Sequence, residues 1–279
     1  MPGEPRDVRA LLTFLGEVSG TPTNYFDVEP PPGTPRLYPR IRCEVVVHDA
    51  RPMAGRLSVD REGVVLAEHR DGVMGDFHDE QAVRPTYYPS VERLVCAVTG
   101  AARAFVFDHT RRSSAVARRT ADGTDIAVDE AHNDYTERSG SRRVRERLAE
   151  ALPGEDPDQL MRGRHAIFNV WRPTNGPVEQ WPLAVCDMQS MKPDDFVDAE
   201  LRWPHRTGHV CAVQHHPSHR WLYFPAMDVG EALVFKCYDS AIHGGTVRFG
   251  AHTAFADPTS QDGARTRESI EVRTIALFR

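Results

Sequence analysis

Arg267-Glu268-Ser269-Ile270-Glu271-Val272-Arg273 is the stretch whose reading decides the fold. In an extended strand successive side chains point to opposite faces, so Arg267, Ser269, Glu271 and Arg273 share one face while Ile270, Val272 and Thr274 share the other. The apolar face belongs against a core, and a polar face turned inward lines a pocket. This strand, running from Ser269 to Phe278, ends a long series: His165 to Trp171, Leu183 to Asp187, Val210 to Gln214, Trp221 to Phe224, Ala232 to Tyr238 and Val247 to Phe249. Short strands separated by Pro, Gly and Asp turns predict an antiparallel sandwich or barrel.

Upstream the texture is mixed. Val45-Val46-Val47 and Val64-Val65-Leu66 predict short strands within Arg42 to Glu68, and Arg103 to Asp108 is a further β-rich run. Val91 to Val98 predicts a short helix with Ser90 as its N-cap and Gly100 as its stop. A polar excursion spans Arg111 to Asp129, and Ser141 to Leu152 has helical spacing, with Leu148 and Leu152 on one face. Residues 1–40, with an amphipathic stretch from Val8 to Val18 and the connector Glu29-Pro30-Pro31-Pro32-Gly33, are expected to form an N-terminal arm over a main domain spanning residues 41–279.

With 34 basic against 40 acidic side chains the net charge is −6, and the pairs Arg111-Arg112, Arg118-Arg119 and Arg142-Arg143 read as solvated faces, so no nucleic-acid partner is expected. Five widely spaced cysteines without a CxxC pair argue against a disulfide framework or a structural zinc site and fit a reducing compartment. No signal-peptide pattern and no apolar run near the roughly 20 residues of a membrane span are present, which predicts a cytoplasmic protein with no membrane partner.

Among thirteen histidines, spacing has to pick out the functional ones. In Ala131-His132-Asn133-Asp134-Tyr135-Thr136 the His-x-Asp pair would project from one strand face and could flank a single ion. An imidazole and a carboxylate that leave coordination positions open suit iron(II). His-x-Asp alone is a weak signal, and a third ligand on a later strand is needed. His252 is first choice because it lies one strand before the Arg-x-Ser segment; His219 and His243 rank second and third. Arg267 and Ser269 have the donors that a distal carboxylate needs, which makes a dicarboxylate co-substrate such as 2-oxoglutarate chemically sensible. Arg267 paired with Glu268 at the surface is the structural alternative.

Ordered blocks then carry a resemblance: Tyr87-Tyr88-Pro89-Ser90-Val91-Glu92, Phe105-Val106-Phe107-Asp108-His109-Thr110, His132-Asn133-Asp134-Tyr135-Thr136, Asn169-Val170-Trp171-Arg172-Pro173, Trp181 to Asp187, His219 to Phe224, Phe235 to Ser240, and His252-Thr253-Ala254-Phe255 with Arg267 to Arg273. From about residue 40 onward the chain resembles the CmcJ/AsaB-type family, which groups aspergillic-acid hydroxylase and gibberellin desaturase-like oxygenases with an accessory subunit of cephem methoxylase. The resemblance implies a mainly β fold, a double-stranded β-helix (jelly-roll, cupin-like) barrel with flanking helices. It also implies Fe(II), 2-oxoglutarate and molecular oxygen acting on a small-molecule substrate of secondary metabolism, with hydroxylation or desaturation as outcomes.

Carried over by motif, His132, Asp134 and His252 would bind iron and Arg267 with Ser269 the 2-oxoglutarate tail. Asn169, Arg172, Lys236 and Tyr238 become pocket residues, whereas Trp171, Trp181 and Trp221 read as core. A homodimer or a biosynthetic partner enzyme is compatible with the resemblance. The competing classes are a non-catalytic accessory subunit and a zinc hydrolase, the latter lacking an evident general base.

Overall fold

The computed structural model describes residues 6–72, 76–115, 124–242 and 244–279. The β-branched and aromatic runs become strands, numbered in chain order: β1 (Val8–Leu15), β2 (Thr23–Tyr25), β3 (Arg40–Asp49), β4 (Val64–Glu68), β5 (Arg103–Ser113), β6 (Asp125–Ile126), β7 (His132–Asn133), β8 (His165–Pro173), β9 (Leu183–Cys186), β10 (Phe196–Trp203), β11 (Arg206–Val213), β12 (Trp221–Tyr223), β13 (Glu231–Asp239), β14 (His252–Ala254) and β15 (Glu268–Leu277). One sheet has nine strands in the order β1-β3-β12-β9-β14-β7-β11-β10-β2; the other has six, β4-β13-β8-β15-β5-β6.

The inner faces meet in one core. Leu183, Val185 and Leu222 of the first sheet pack with Ile167, Trp171, Leu233, Phe235 and Ile275 of the second. Removing each such side chain from water stabilises the fold by roughly 1.5–3 kcal/mol before entropy is charged against it. Two largely antiparallel sheets closed face to face form the double-stranded β-helix that the sequence led us to expect. On the outer face of the six-stranded sheet the helix Tyr88–Thr99 lays Val91, Leu94 and Val95 over Phe168, Val170, Ile270 and Val272. The predicted alternation of β15 is thus realised: Ile270 and Val272 face this helix, and Arg267, Ser269, Glu271 and Arg273 face inward.

Several boundaries depart from the sequence reading. Val8–Leu15, expected within an arm over the body, is a strand whose whole length pairs antiparallel with β3. The helical backbone begins earlier than expected, at Glu80 behind the Asp79 cap, and passes through a π-turn over Val83–Tyr87 into Tyr88–Thr99; Ser90 is therefore inside the helix, and its hydroxyl meets His69 Nε2 at 2.7 Å. Gly100 closes that helix at φ 74° as expected. The second helix runs Glu137–Ala151, four residues longer at its start, because Thr136 and Ser139 cap it reciprocally.

Phe196–Trp203, which the sequence reading did not anticipate as a strand, pairs antiparallel with β11. Val247 to Phe249 is not a strand. The chain there crosses β13 so closely that a Cβ on Gly250 would lie 2.2 Å from the Lys236 carbonyl oxygen, which leaves no room for a ladder partner.

Candidate active site

Three side chains converge between the sheets. His132 lies on β7, Asp134 one residue beyond it, and His252 opens β14, directly paired with His132 across the ladder. One ligand atom from each lies within 4.8 Å of the others. The local chain explains the convergence. Asn133, fully buried, donates to the Tyr135 carbonyl at 2.6 Å and the Cys237 carbonyl at 2.9 Å. These bonds pin the turn, and the Thr136 cap then starts the helix, so Asp134 is held between two fixed points.

His132 and Asp134 are each oriented by further partners. His132 Nδ1 lies 2.7 Å from the Glu130 carbonyl, which makes that nitrogen the N–H donor and leaves Nε2 free, 3.4 Å from Asp134 Oδ1. Asp134 Oδ2 accepts from Asn169 Nδ2 at 2.9 Å and from Arg273 Nε at 3.0 Å, so Oδ1 is the oxygen left for an ion. The Arg273 fork is fully used: Nη1 reaches Asp108 Oδ1 and Thr110 Oγ1, and Nη2 reaches Glu271 Oε1, each at 3.1 Å.

The electrostatics follow from that wiring. Burial opposes the Asp134 carboxylate, but the Arg273 charge and the neighbouring imidazoles hold it well below its ordinary pKa. Burial also opposes the His132 imidazolium, yet Asp134 outweighs it and the pKa rises. Burial, joined by the charge of His132, pushes His252 far down, so one imidazole of the pair is kept neutral. Glu271 is raised by burial against the pull of Arg273.

Beside the triad is a cavity of ≈ 20 Å³ lined by Arg112, Val128, His132, Trp171, Leu183, His252, Ala254, Arg267 and Glu271. Arg267 donates Nη1 to the Trp181 carbonyl at 2.8 Å, and its guanidinium lies over the Trp171 ring. Its Nε and Nη2, and the Ser269 hydroxyl, are buried without a partner. Burial and the nearby Arg112 press the Arg267 pKa down to about 9. A guanidinium is charged at any ordinary pH, so this is an uncompensated buried cation that calls for an anion. Glu268, the surface partner considered above, forms no ion pair with Arg267 among the described residues; the backbone of Glu268 is held by Asn175.

Residues 12–277 match the family described as an oxidoreductase/YMDC permease-like domain. Among curated proteins, the Fe(II)/2-oxoglutarate-dependent dioxygenase nvfI of Aspergillus novofumigatus is 30% identical, with 95% of each chain covered. The alpha-ketoglutarate-dependent dioxygenase tstK of Talaromyces stipitatus is 28% identical over 96% of each. A solved structure of the iron and alpha-ketoglutarate-dependent endoperoxidase NvfI superposes with a TM-score of 0.83 at 27% identity, covering 98% of both chains. The chain belongs to the iron(II)- and 2-oxoglutarate-dependent dioxygenases. No helix among the described residues is long and apolar enough to cross a membrane.

The donor set fits the cofactors of a dioxygenase: two imidazoles and a carboxylate around one point, an orphaned guanidinium on the wall of the adjoining cavity, and an orphaned hydroxyl two residues along the same strand. Of the four further pocket residues expected from the sequence, only Asn169 is here, and it touches the Asp134 ligand. Arg172, three residues along β8 and so on the opposite face, lies between the rings of Phe77 and Tyr87 with Nη1 3.4 Å from His69. Lys236 faces the same outer side and is paired at 2.7 Å with Asp60 and with Asp239. Tyr238 follows a bulge in β13 and stacks on Gly140, His165 and Phe249.

His219, the second choice for third ligand, is bonded through Nε2 to Asp195 at 3.0 Å and is not part of the triad; His243, the third, lies outside the described residues. Trp221 is core, whereas Trp171 is core and cavity wall at once. Sequence reasoning placed Glu271 and Arg273 on the inward face without giving them a task, and it read Arg111-Arg112 as solvated. Arg111 is 7% exposed and Arg112 lines the cavity. The signal for Arg112 was available: it continues the alternation Asp108, Thr110, Arg112 on β5. Arg118-Arg119 lies outside the described residues, and Arg142 and Arg143 are indeed surface partners of Glu146.

Proposed function

We propose that His132, Asp134 and His252 hold the iron(II) of this dioxygenase and that Arg267 with Ser269 takes the distal carboxylate of 2-oxoglutarate. The observation that carries this reading is that two of three converging metal donors, His132 and His252, share a cavity wall with Arg267, whose Nε and Nη2 are orphaned along with Ser269 Oγ on the same inward face of β15. When bound, the iron and 2-oxoglutarate supply, with molecular oxygen, an oxidant able to remove hydrogen from a C–H bond, the co-substrate leaving as succinate and carbon dioxide.

The chain's own residues do the rest. Asn169 and Arg273 turn Asp134 so that it offers one oxygen. Glu130 fixes the His132 ring, and Phe235, whose ring centre is 4.8 Å from that of His252, packs against the second imidazole. Trp171 and Leu183 keep the cavity wall apolar, which excludes water from the reacting atoms.

The substrate in this reading is a small secondary metabolite, and the outcome hydroxylation, desaturation or a related C–H oxidation. Support comes from relatives named hydroxylase/desaturase, such as CTB9 of Cercospora beticola, 30% identical over 84% of this chain. Work in the cytoplasm is supported by five free cysteines, three of them buried. A homodimer or a biosynthetic partner enzyme is compatible with this reading; light scattering of the purified chain reads the first, and co-purification with a candidate enzyme the second.

The deciding experiment is anaerobic titration of the purified chain with Fe(II) and then 2-oxoglutarate, followed by visible charge-transfer absorption. One iron per chain is expected, lost in His132→Ala, Asp134→Ala and His252→Ala. Retention of tight iron binding in any of these folded variants would sink the assignment of that ligand.

A further inference from the structure

Arg112 is the charged cavity residue to which none of the roles above gives a task. It sits opposite Ser269 in the β5–β15 ladder. On β5 the inward row is Asp108, Thr110 and Arg112: the first two touch Arg273, while His109 on the other face bonds Tyr88 at 2.8 Å. Arg112 thus continues the polar wall one step beyond the Arg273 hub, toward the outer edge of the six-stranded sheet, and lines the same cavity as both imidazoles and Arg267.

It spends one nitrogen, Nη1, on the Ile126 carbonyl at 2.9 Å. Among the described residues it has no carboxylate partner within ion-pair distance. The other two arginines of the wall are accounted for. Every nitrogen of Arg273 is bonded, and Arg267 with Ser269 has three donors left, a full set for one carboxylate. His132, Asp134 and His252 would be taken up by the iron and the end of the co-substrate nearest it. Arg112 is half-exposed, whereas Trp171, Leu183, His252, Ala254, Arg267 and Glu271 are buried, so it stands where the cavity meets solvent. A cavity of ≈ 20 Å³ holds about one water; ligand entry requires wall side chains to move, and Arg112 is among the least enclosed of them.

We propose that Arg112 is a substrate-specificity residue that binds an anionic oxygen group, a carboxylate or ionised enol, on the small molecule oxidised at this site. This rests on the assignment of iron to the triad and of 2-oxoglutarate to Arg267. The substrate then enters with its charged group at the β5 edge and its carbon skeleton toward His132 and His252. An uncharged analogue of the same shape leaves the guanidinium half-desolvated and unpaired, which is the origin of the discrimination.

The test uses benzoate and its neutral isostere benzamide as probes. Both are titrated into the anaerobic Fe(II)- and 2-oxoglutarate-loaded enzyme, and Trp171, on the cavity wall, supplies a fluorescence signal. Wild type is expected to bind benzoate about tenfold or more tightly than benzamide, as a charge-assisted pair warrants. In Arg112→Gln that preference disappears, in Arg112→Lys part of it returns, and 2-oxoglutarate affinity moves less than about twofold in both. Equal affinity of wild type for the two probes, including no binding of either, overturns the proposal. So does a large loss of 2-oxoglutarate affinity in Arg112→Gln, which would make Arg112 a co-substrate residue. Failure of the wild type to take up iron and 2-oxoglutarate is a separate result that overturns the site assignment itself.

Discussion

Arg273 Nε donates to Asp134 Oδ2 at 3.0 Å, and through the same guanidinium Asp134 is tied to Glu271, Asp108 and Thr110. The buried carboxylate is thereby neutralised on its far side, and its near oxygen is aimed at the imidazoles, as the proposed single-oxygen ligand would need. Replacing Arg273 by Gln strands Asp134 and Glu271 as buried charges. The expected loss is on the order of 3 kcal/mol of apoprotein stability, together with a roughly 10- to 100-fold weaker affinity for iron(II). Urea unfolding and metal titration read the two effects separately. Unchanged iron affinity in a folded Arg273→Gln would show that Asp134 needs no such orientation.

Arg267 and Ser269 give a sharper separation. Arg267→Gln is expected to leave iron binding near wild type while raising the KM for 2-oxoglutarate roughly 100-fold, the scale of a lost charge-assisted pair of bonds. Ser269→Ala, losing one hydrogen bond to a charged group, should raise it about tenfold. Succinate release at varied 2-oxoglutarate concentration measures both. Equal KM values across the three proteins would remove the carboxylate from this end of the cavity.

How much of this was legible in the chain depends on parity. On β15 the alternation of Ser269, Ile270, Glu271, Val272 and Arg273 fixes both faces, because a strand has only two. The meeting of His132 and Asp134 owes only its first half to parity, since β7 ends at Asn133 and Asp134 is brought round by the turn beyond it, while His252 was singled out by its place one strand before the Arg-x-Ser segment. Parity applied to β8 would also have rejected Arg172: it is an odd number of residues from Asn169, so the two cannot share a face. Tyr238 escapes that logic, since a bulge between Lys236 and Tyr238 resets the alternation and a bulge leaves no mark in composition. The longer second helix was hidden because its cap pairs Thr136 with Ser139, where the usual signature has Glu or Gln. The ladder between β1 and β3 joins segments some thirty residues apart, a pairing that local sequence does not encode.

His69 provides a pH signature outside the metal site. It is 2% exposed, and burial together with the charge of Arg172 lowers its pKa to about 4. The unfolded chain protonates this histidine near its ordinary value of about 6.5, whereas the folded chain does so only near 4. Between those pH values the unfolded state binds more protons, so stability rises with pH. The contribution is fully present above pH 6.5, falls as pH drops to about 4, and is constant below. Its size is about 3 kcal/mol from the two pKa values. Unfolding free energies of wild type and His69→Gln should therefore converge by roughly that amount between pH 6.5 and 4. Parallel pH profiles would mean that His69 titrates normally in the folded protein.

Gly250 tests whether the crossing over β13 delivers His252. A Cβ at this position would lie 2.2 Å from the Lys236 carbonyl oxygen, a backbone atom of a central strand that cannot turn aside as a side-chain tip could. Ala251 and His252 follow at once, and His252 is paired with His132 and Val185, so any outward shift of residue 250 is transmitted to the proposed third ligand. Gly250→Ala is expected to cost about 2 kcal/mol or more, the scale of overpacking in a rigid site, and to weaken iron(II) binding more than it weakens the fold. Gly244→Ala is the matched control: its φ of +87° is strained for alanine, yet nothing lies within 4 Å of the added methyl. It should cost only about 1 kcal/mol of backbone strain and leave iron binding unchanged. Equal effects of the two substitutions on metal affinity would show that the close approach at Gly250 does not position His252, and that the ladder of β14 with β9 and β7 suffices on its own.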